Sequence, residues 1–184
     1  YDYLDLYGKL TLATDNGTKL NLFALNFTDK VNQYEAIADF GWQNRAFGAN
    51  FLILPGSSSS LIEGVVAYSD YTMNMSETTT NITQMSNIGG FNVGLSVTNF
   101  FGENRLKYGM NMLGNTTKSL FSVNDTIIDY STELAAYAIF KGVAGRLVYE
   151  PSFRASYYAS LSSLIPEPRL SLKLNLSDNF RLKA

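Results

Sequence analysis

The closing stretch of the sequence, EPRLSLKLNLSDNFRLKA, covers residues 167–184 and alternates between apolar and polar side chains. Leucine occupies every second position of its first half, with polar residues between: Leu170, Leu172, Leu174 and Leu176. A period of two predicts a β-strand with one apolar and one polar face. Such strands occur in soluble sandwiches and in membrane barrels, so the rest of the chain must show which face is buried.

The same alternation recurs along the whole chain and predicts about nine strands and the start of a tenth. Residues 4–12 follow it, and Asp15-Asn16-Gly17 then gives a strong signal for a tight hairpin, because Asn-Gly accepts positive φ at low cost. The segment STELAAYAIFKG, residues 131–142, also has the punctuation of a helix, with Ser131 before it and Gly142 at its end. Its period of two and its strand neighbours favour a strand.

Composition excludes several classes of function. The 184 residues carry a formal charge of −2, so no basic surface for nucleic acid is expected. Cysteine and histidine are absent, which removes disulfides, thiolate chemistry, the commonest metal ligand and the usual general base. We therefore predict no catalytic residue, no cofactor and no metal site, and a protein that is not an enzyme.

The connections between the predicted strands alternate in length. Tight ones are predicted at 14–17, 55–59, 102–104, 141–145 and 177–179, and longer polar ones at 28–33, 76–84, 114–125 and 162–168. This alternation is typical of an up-and-down barrel in an outer membrane, with tight periplasmic turns and longer outside loops. The segments 76–84 and 114–125 are candidates for extracellular ligand contact, or are simply solvated loops.

A membrane barrel turns its apolar side chains outward to lipid and its polar ones inward. The last strands fit this, because Leu134, Phe140, Leu147 and the closing leucines alternate with charged residues. The charged set forms a predicted lumen-facing polar wall: Glu133, Arg146, Glu150, Arg154, Arg169 and Lys173. Such a wall either contacts a plug or guides a charged substrate, or it is cross-strand ion pairing that keeps the inner face wet.

Aromatic residues near the strand ends predict girdles at both rims of the membrane. The residues concerned are Phe100, Phe101, Phe140 and Phe180 near short turns, and Tyr71, Tyr130, Tyr157 and Tyr158 near longer connections. Pro151 lies inside a predicted strand, where it removes a ladder hydrogen bond and marks either a bulge or a different register. The register around Pro151 and in residues 55–76 stays open at this stage.

Several stretches resemble TonB-dependent outer-membrane receptors, particularly the large ones with a carboxypeptidase-regulatory-like domain ahead of the plug. These stretches are DLYGKLTLATDNGTKLNL, FGWQNRAFGANF, VVAYSDYTMNM, TELAAYAIF and IPEPRLSLKLNLSDNFRLKA. The resemblance covers nearly the whole chain but only the barrel of such receptors. It implies a segment of a 22-stranded barrel with a plugged lumen.

The resemblance implies a transport protein in the outer membrane of a Gram-negative bacterium that imports a nutrient. We expect residues 1–184 to be a single barrel segment without plug domain or signal peptide. The expected partners are outer-membrane lipid, a plug domain in the same longer polypeptide, a TonB-type energy-coupling protein and a surface-exposed accessory protein. Two alternatives stay open: a self-contained small barrel acting as pore, anchor or adhesin, and a soluble β-sheet binding module.

Overall fold

The fold is known from a computed structural model that describes residues 1–34, 38–56, 59–77, 83–122, 125–177 and 180–184. It contains ten strands and one turn of 3-10 helix, Ala159–Leu161. The strands are β1 (Asp2–Ala13), β2 (Lys19–Tyr34), β3 (Ala38–Ile53), β4 (Ser60–Glu77), β5 (Thr83–Phe101), β6 (Asn104–Ser122), β7 (Asp125–Ala144), β8 (Leu147–Tyr158), β9 (Ser163–Asn175) and β10 (Arg181–Lys183). The segment STELAAYAIFKG lies in β7, so its prediction as a strand is confirmed. No helix among the described residues is long and apolar enough to cross a membrane.

All ten strands form one antiparallel sheet in chain order, from β1 at one edge to β10 at the other. The prediction of an up-and-down antiparallel fold with about ten strands is therefore confirmed. In the part of the chain that the structure describes, β1 pairs with β2 alone and β10 pairs with β9 alone. The sheet is thus open at both edges and does not close on itself as a ten-stranded cylinder.

The predicted longer connections are wrong over most of their length. Residues 28–33 lie in β2, residues 114–122 in β6 and residues 163–168 in β9. Residues 78–82 and 123–124 lie outside the described residues. Threonine, asparagine and serine in these segments suggested loops, but their backbones pair in the ladder, because every neighbouring strand supplies partners for the N–H and C=O groups. The strands are consequently longer than expected at this end of the sheet.

Because directly paired residues of an antiparallel sheet share a face, the register assigns each side chain to one side. One continuous row across the sheet is apolar except for a glycine: Leu20, Phe51, Gly64, Leu95, Met110, Ala136 and Ala155. The neighbouring row on the opposite side is more polar: Leu52, Glu63, Ser96, Gly109, Tyr137, Arg154 and Glu167. We name the side of the first row the belt face and that of the second row the wall face.

None of the described residues packs over the belt face. Leu134, Phe153 and Leu170 are 49%, 50% and 60% exposed. Among the described residues, the only buried apolar side chains are Ala38 and Ala135. A soluble sandwich would bury such leucines and phenylalanines in a core that excludes water. In this sheet they are exposed instead.

The wall face is concave. One cavity of about 860 Å³ on this side is lined by residues of seven consecutive strands, from Asn50 on β3 to Arg169 on β9. At a strand spacing of about 4.8 Å, these two strands would lie roughly 29 Å apart in a flat sheet. Both can line one cavity only because the sheet curves around it, as the wall of a barrel does.

Pro151 interrupts the ladder without shifting the register. Ile139 pairs with Ser152 and Gly142 with Tyr149, at the same offset, while the intervening residues of β7 have no partner on β8. A proline lacks the N–H that this pairing needs, which explains the gap. The alternative of a bulge is wrong. The register of β4, left open by the sequence, runs unbroken against β5 from Ser60–Asn99 to Ser76–Thr83.

The register also sorts the aromatic residues predicted for the girdles. Phe101, Tyr130, Phe140 and Tyr157 lie on the belt face. Phe100, Tyr71 and Tyr158 lie on the wall face, so the girdle prediction is wrong for these three. In a strand, neighbouring residues point to opposite sides, and nearness to a turn therefore says nothing about the face.

Candidate functional site

The candidate site is a network of ion pairs on the wall face, and Arg154 on β8 is its centre. Its Nη2 atom lies 2.6 Å from Oε1 of Glu133 on β7, and its Nε atom lies 3.8 Å from Oε1 of Glu167 on β9. Nη1 donates to Oδ1 of Asn111 on β6 at 3.2 Å, and Nε donates to Oγ of Ser156 at 3.0 Å. One guanidinium group therefore connects four adjacent strands.

Ser156 connects Arg154 and Glu167 through its hydroxyl group. It is fully buried, and its Oγ donates to Oε1 of Glu167 at 3.2 Å while accepting from Arg154. Glu167 also accepts from Nη2 of Arg169 at 2.7 Å. The charged groups of the centre are thus fixed by directional hydrogen bonds, which are stronger when one partner is ionised.

Two further ion pairs extend the network along the wall face. Lys107 Nζ lies 2.9 Å from Oε2 of Glu63, two strands away, and Ser96 on the strand between donates to the same carboxylate at 3.4 Å. Nearer the tight turns, Arg105 Nη2 lies 3.7 Å from Oε2 of Glu150. Within the described residues, every salt bridge joins side chains of the wall face.

The six residues predicted for the polar wall do not all lie in the same kind of position. Five of them lie on the wall face: Glu133, Glu150, Arg154, Arg169 and Lys173. Glu133 pairs directly with Arg154, and Arg154 and Arg169 both contact Glu167. Arg146 lies in the turn before β8, where its Nη1 donates to the carbonyl of Leu176 at 3.1 Å and its own carbonyl accepts from the N–H of Asn175 at 2.9 Å. Lys173 pairs in register with Lys183 and has no salt bridge among the described residues.

The sequence prediction missed four members of this network: Glu63, Arg105, Lys107 and Glu167. All four alternate with apolar residues in their own segments. Because every second residue of a strand points to the same side, this alternation could have assigned them to the polar face. Parity alone does not show that Lys107 reaches Glu63, which is 44 residues away in the sequence.

The network is nearly neutral in charge. Its centre and the Lys107 pair contain three carboxylates, Glu63, Glu133 and Glu167, and three cations, Lys107, Arg154 and Arg169. Each charge has a partner of opposite sign, so the wall offers a hydrated and rigid surface rather than a strong field for one charged ligand. Among the described residues no group of three or more acidic side chains could hold a metal ion.

A second polar cluster lies on the wall face at the end away from the tight turns. Asp29 on β2 accepts from Trp42 Nε1 at 2.7 Å and from the Tyr1 hydroxyl at 3.3 Å. The rings of Tyr1 and Tyr3 have centroids 6.0 Å apart beside it. The sequence prediction did not single out these residues, because they share a face only through the pairing of β1, β2 and β3.

No model of a protein family matches the sequence, and a search among curated proteins finds no match. Solved structures do match. The ferric enterobactin receptor PfeA of Pseudomonas aeruginosa, as a G324V mutant, gives a TM-score of 0.77 at 11% identity and covers 98% of this chain and 32% of that one. The alcaligin outer-membrane receptor FauA of Bordetella pertussis gives 0.72 at 9% identity, covering 96% and 33%.

The hemophore receptor HasR of Serratia marcescens, as a double mutant in complex with its hemophore HasA and heme, gives a TM-score of 0.67 at 12% identity, covering 94% of this chain and 33% of that one. This chain spans about a third of the length of these structures. Its fold is that of part of the barrel of TonB-dependent outer-membrane receptors, which confirms the predicted fold class.

Proposed function

We propose that this chain is a barrel segment of an outer-membrane transport protein of the TonB-dependent type, which imports a nutrient into a Gram-negative bacterium. The observation that carries the proposal is the separation of the two faces. Most of the exposed large apolar side chains lie on the belt face of the sheet, with Tyr7 and Ile127 among the exceptions, whereas the salt bridges of the described residues lie on the concave wall face. The separation is what lipid outside and water inside require.

The height of the belt supports contact with lipid. On β8 the belt face is apolar from Leu147 to Tyr157. These eleven positions extend about 33 Å along the strand, or about 25 Å when the strand is tilted by about 40°. That length equals the apolar band of outer-membrane barrels.

The open edges favour a segment of a larger barrel over a self-contained small one. A complete small barrel of these strands would pair β1 with β9 or β10, and in the described residues β1 has no such partner. We propose that further strands of a longer polypeptide pair with both edges. We also propose that a plug domain in that polypeptide faces the ion-pair network.

The remaining proposed partners are proteins. A TonB-type energy-coupling protein would act from the periplasmic side, and a surface-exposed accessory protein would dock outside. HasR in complex with HasA, and FpvAI in complex with pyocin S2, are similar folds that carry a protein partner. The network of paired charges would serve as a positioning wall in such a transporter, and we assign no enzymatic activity to it.

The test is made in the full-length protein. We expect it in the outer-membrane fraction as a heat-modifiable band, and we expect its deletion to abolish uptake of one member of a panel of ferric siderophores, heme, ferric citrate and oligosaccharides. Uptake of that compound should also be lost without a functional TonB-type protein. A full-length protein that stays in solution without detergent, or uptake unchanged by deletion over the whole panel, would contradict the proposal.

A further inference from the structure

A pocket on the belt face is separate from the ion-pair network, because it opens on the other side of the sheet. It has a volume of about 370 Å³ and lies across β4, β5, β6 and β7. Most of its side chains belong to the belt face by register, whereas Asn115 belongs to the wall face; the belt-face set is Tyr68, Asp70, Asn87, Phe91, Thr116, Tyr130 and Thr132. The pocket therefore faces away from the barrel interior.

Glycines form the floor of this pocket. A Cβ atom on Gly89 would lie 3.3 Å from the Tyr68 hydroxyl and 3.4 Å from Oδ2 of Asp70, so both polar groups lie close to the backbone at Gly89. On the next strand, a Cβ atom on Gly114 would lie 2.2 Å from the ring of Phe91. Gly89 therefore leaves space above its strand, whereas the ring of Phe91 covers Gly114.

Asp70 is held in place but keeps capacity for a ligand. Its Oδ2 accepts from Asn87 Nδ2 at 2.8 Å, and its Oδ1 accepts from Thr72 Oγ1 at 3.3 Å. Asp70 has no salt bridge among the described residues. A carboxylate can accept about four hydrogen bonds, so two acceptor positions are left for hydroxyl or amine donors.

The pocket lies at the boundary of the apolar belt. The row below Tyr68 consists of Val66, Val93, Met112 and Leu134, whereas the row above Asp70 contains Thr72, Asn87 and Lys118. Tyr130, which is 65% exposed, stands at the side of the pocket. With the tight turns in the periplasm, as the sequence predicts, the opposite end of the sheet is outside, and the pocket faces the headgroups of the outer leaflet.

We propose that this pocket binds a sugar unit in the headgroup of an outer-leaflet glycolipid whose acyl chains lie along the belt. The rings of Tyr68 and Tyr130 offer apolar faces to the C–H side of a sugar, and Asp70, Asn87 and Thr116 offer partners to its hydroxyl or amino groups. Among the described residues that line the pocket none is basic, and Asp70 would repel a phosphate. The inference rests on the proposed membrane location.

The test uses the full-length protein, purified from outer membranes in detergent and titrated with three probes. The probes are a defined outer-leaflet glycolipid, the same glycolipid with its acyl chains removed, and a phospholipid of equal chain length. We expect Asp70→Ala and Tyr130→Ala each to weaken glycolipid binding about tenfold, since loss of one hydrogen bond or ring contact is worth about 1.4 kcal/mol. Ile128→Ala, an exposed belt-face change two residues from Tyr130, should leave binding unchanged.

The three probes separate the sources of the ligand. The deacylated saccharide should compete with the glycolipid, and the phospholipid should not. Equal binding of glycolipid by wild type and both pocket variants, or competition by phospholipid, would overturn the inference. If the protein is folded in the outer membrane in these experiments, that failure leaves the transport proposal intact; a protein absent from the outer membrane overturns both.

Discussion

The two faces of the sheet are made from the same ten strands but hold different chemistry. On β7, Ala136 is exposed on the belt face, and its neighbour Ala135 is buried on the wall face. The belt face has exposed aliphatic and aromatic side chains without directional partners, whereas the wall face has hydrogen bonds between ionised groups. The comparison teaches that each face tolerates a different kind of change, and four predictions test it.

The largest effect is expected from a charge in the middle of the belt. Ala136→Arg places a guanidinium where lipid is expected, at a cost of about 2–4 kcal/mol in the free energy of unfolding. Asn92→Arg, an exposed wall-face change on β5, two strands away, is the matched control and should cost much less. Urea unfolding of the full-length protein in lipid vesicles measures both, and equal destabilisation would contradict the assignment of the faces.

The second prediction compares two glycines. A Cβ atom on Gly109, on the wall face, would lie 2.4 Å from the carbonyl oxygen of Leu95, so Gly109→Ala forces backbone to move and should cost about 2 kcal/mol. On the belt face, a Cβ atom on Gly142 would meet the far end of the Tyr149 ring at 2.2 Å. The ring can turn outward, so Gly142→Ala should cost about 1 kcal/mol or less.

The same unfolding measurement tests the glycine pair. Tyr149→Leu should remove most of the penalty of Gly142→Ala, whereas no single side-chain change should rescue Gly109→Ala. A larger cost at Gly142 than at Gly109 would show that the belt-face ring is locked in place.

The third prediction concerns the centre of the ion-pair network. The side chains of Arg154 and Glu133 are 31% and 19% exposed. Arg154→Met leaves Glu133 without its cation and Glu167 with Arg169 alone. We expect a loss of about 1–2 kcal/mol, below the value for a fully buried pair because water reaches both groups of the Arg154–Glu133 pair. In a double-mutant cycle, Glu133→Gln should restore part of the loss. Strict additivity of the two changes would mean that the pair contributes nothing.

The smallest effect is expected at the exposed pair of Lys107 and Glu63, whose side chains are 36% and 41% exposed. Lys107→Met should change stability by less than about 1 kcal/mol, and the difference should shrink as salt is added. Unfolding in low and high salt checks this. A large loss that is insensitive to salt would show that Lys107 holds the wall by other contacts.

The sequence predicted much of the fold, because a period of two is the local signature of a strand. The leucines at 170, 172 and 174 and the alternation in β7 gave strand identity and the shared face correctly, whereas Leu176 lies just beyond β9. The prediction of the connection lengths was wrong, because the polar residues 114–122 pair as part of β6 and do not form a loop. Polar residues indicate contact with water, and a strand that extends beyond the apolar belt is in contact with water just as a loop is. Polarity therefore does not distinguish the two.

The site was predicted in part. Parity along β8 and β9 identified Glu150, Arg154, Arg169 and Lys173 as residues of one polar face. Arg146 lies in the turn one residue before β8, so its assignment to the wall stays a prediction. The pocket around Asp70 was not predicted, since its floor consists of glycines whose neighbours come from four strands.

The sequence by itself determined the strands, the side chains that share a face within each strand, and the absence of cysteine and histidine chemistry. These properties depend on residues close together in the chain. Only the tertiary structure decided which faces join across strands, that the polar face is concave, and that Glu63 meets Lys107 and Glu133 meets Arg154. The physical reason is that register couples strands through backbone hydrogen bonds, which are the same for every residue except proline.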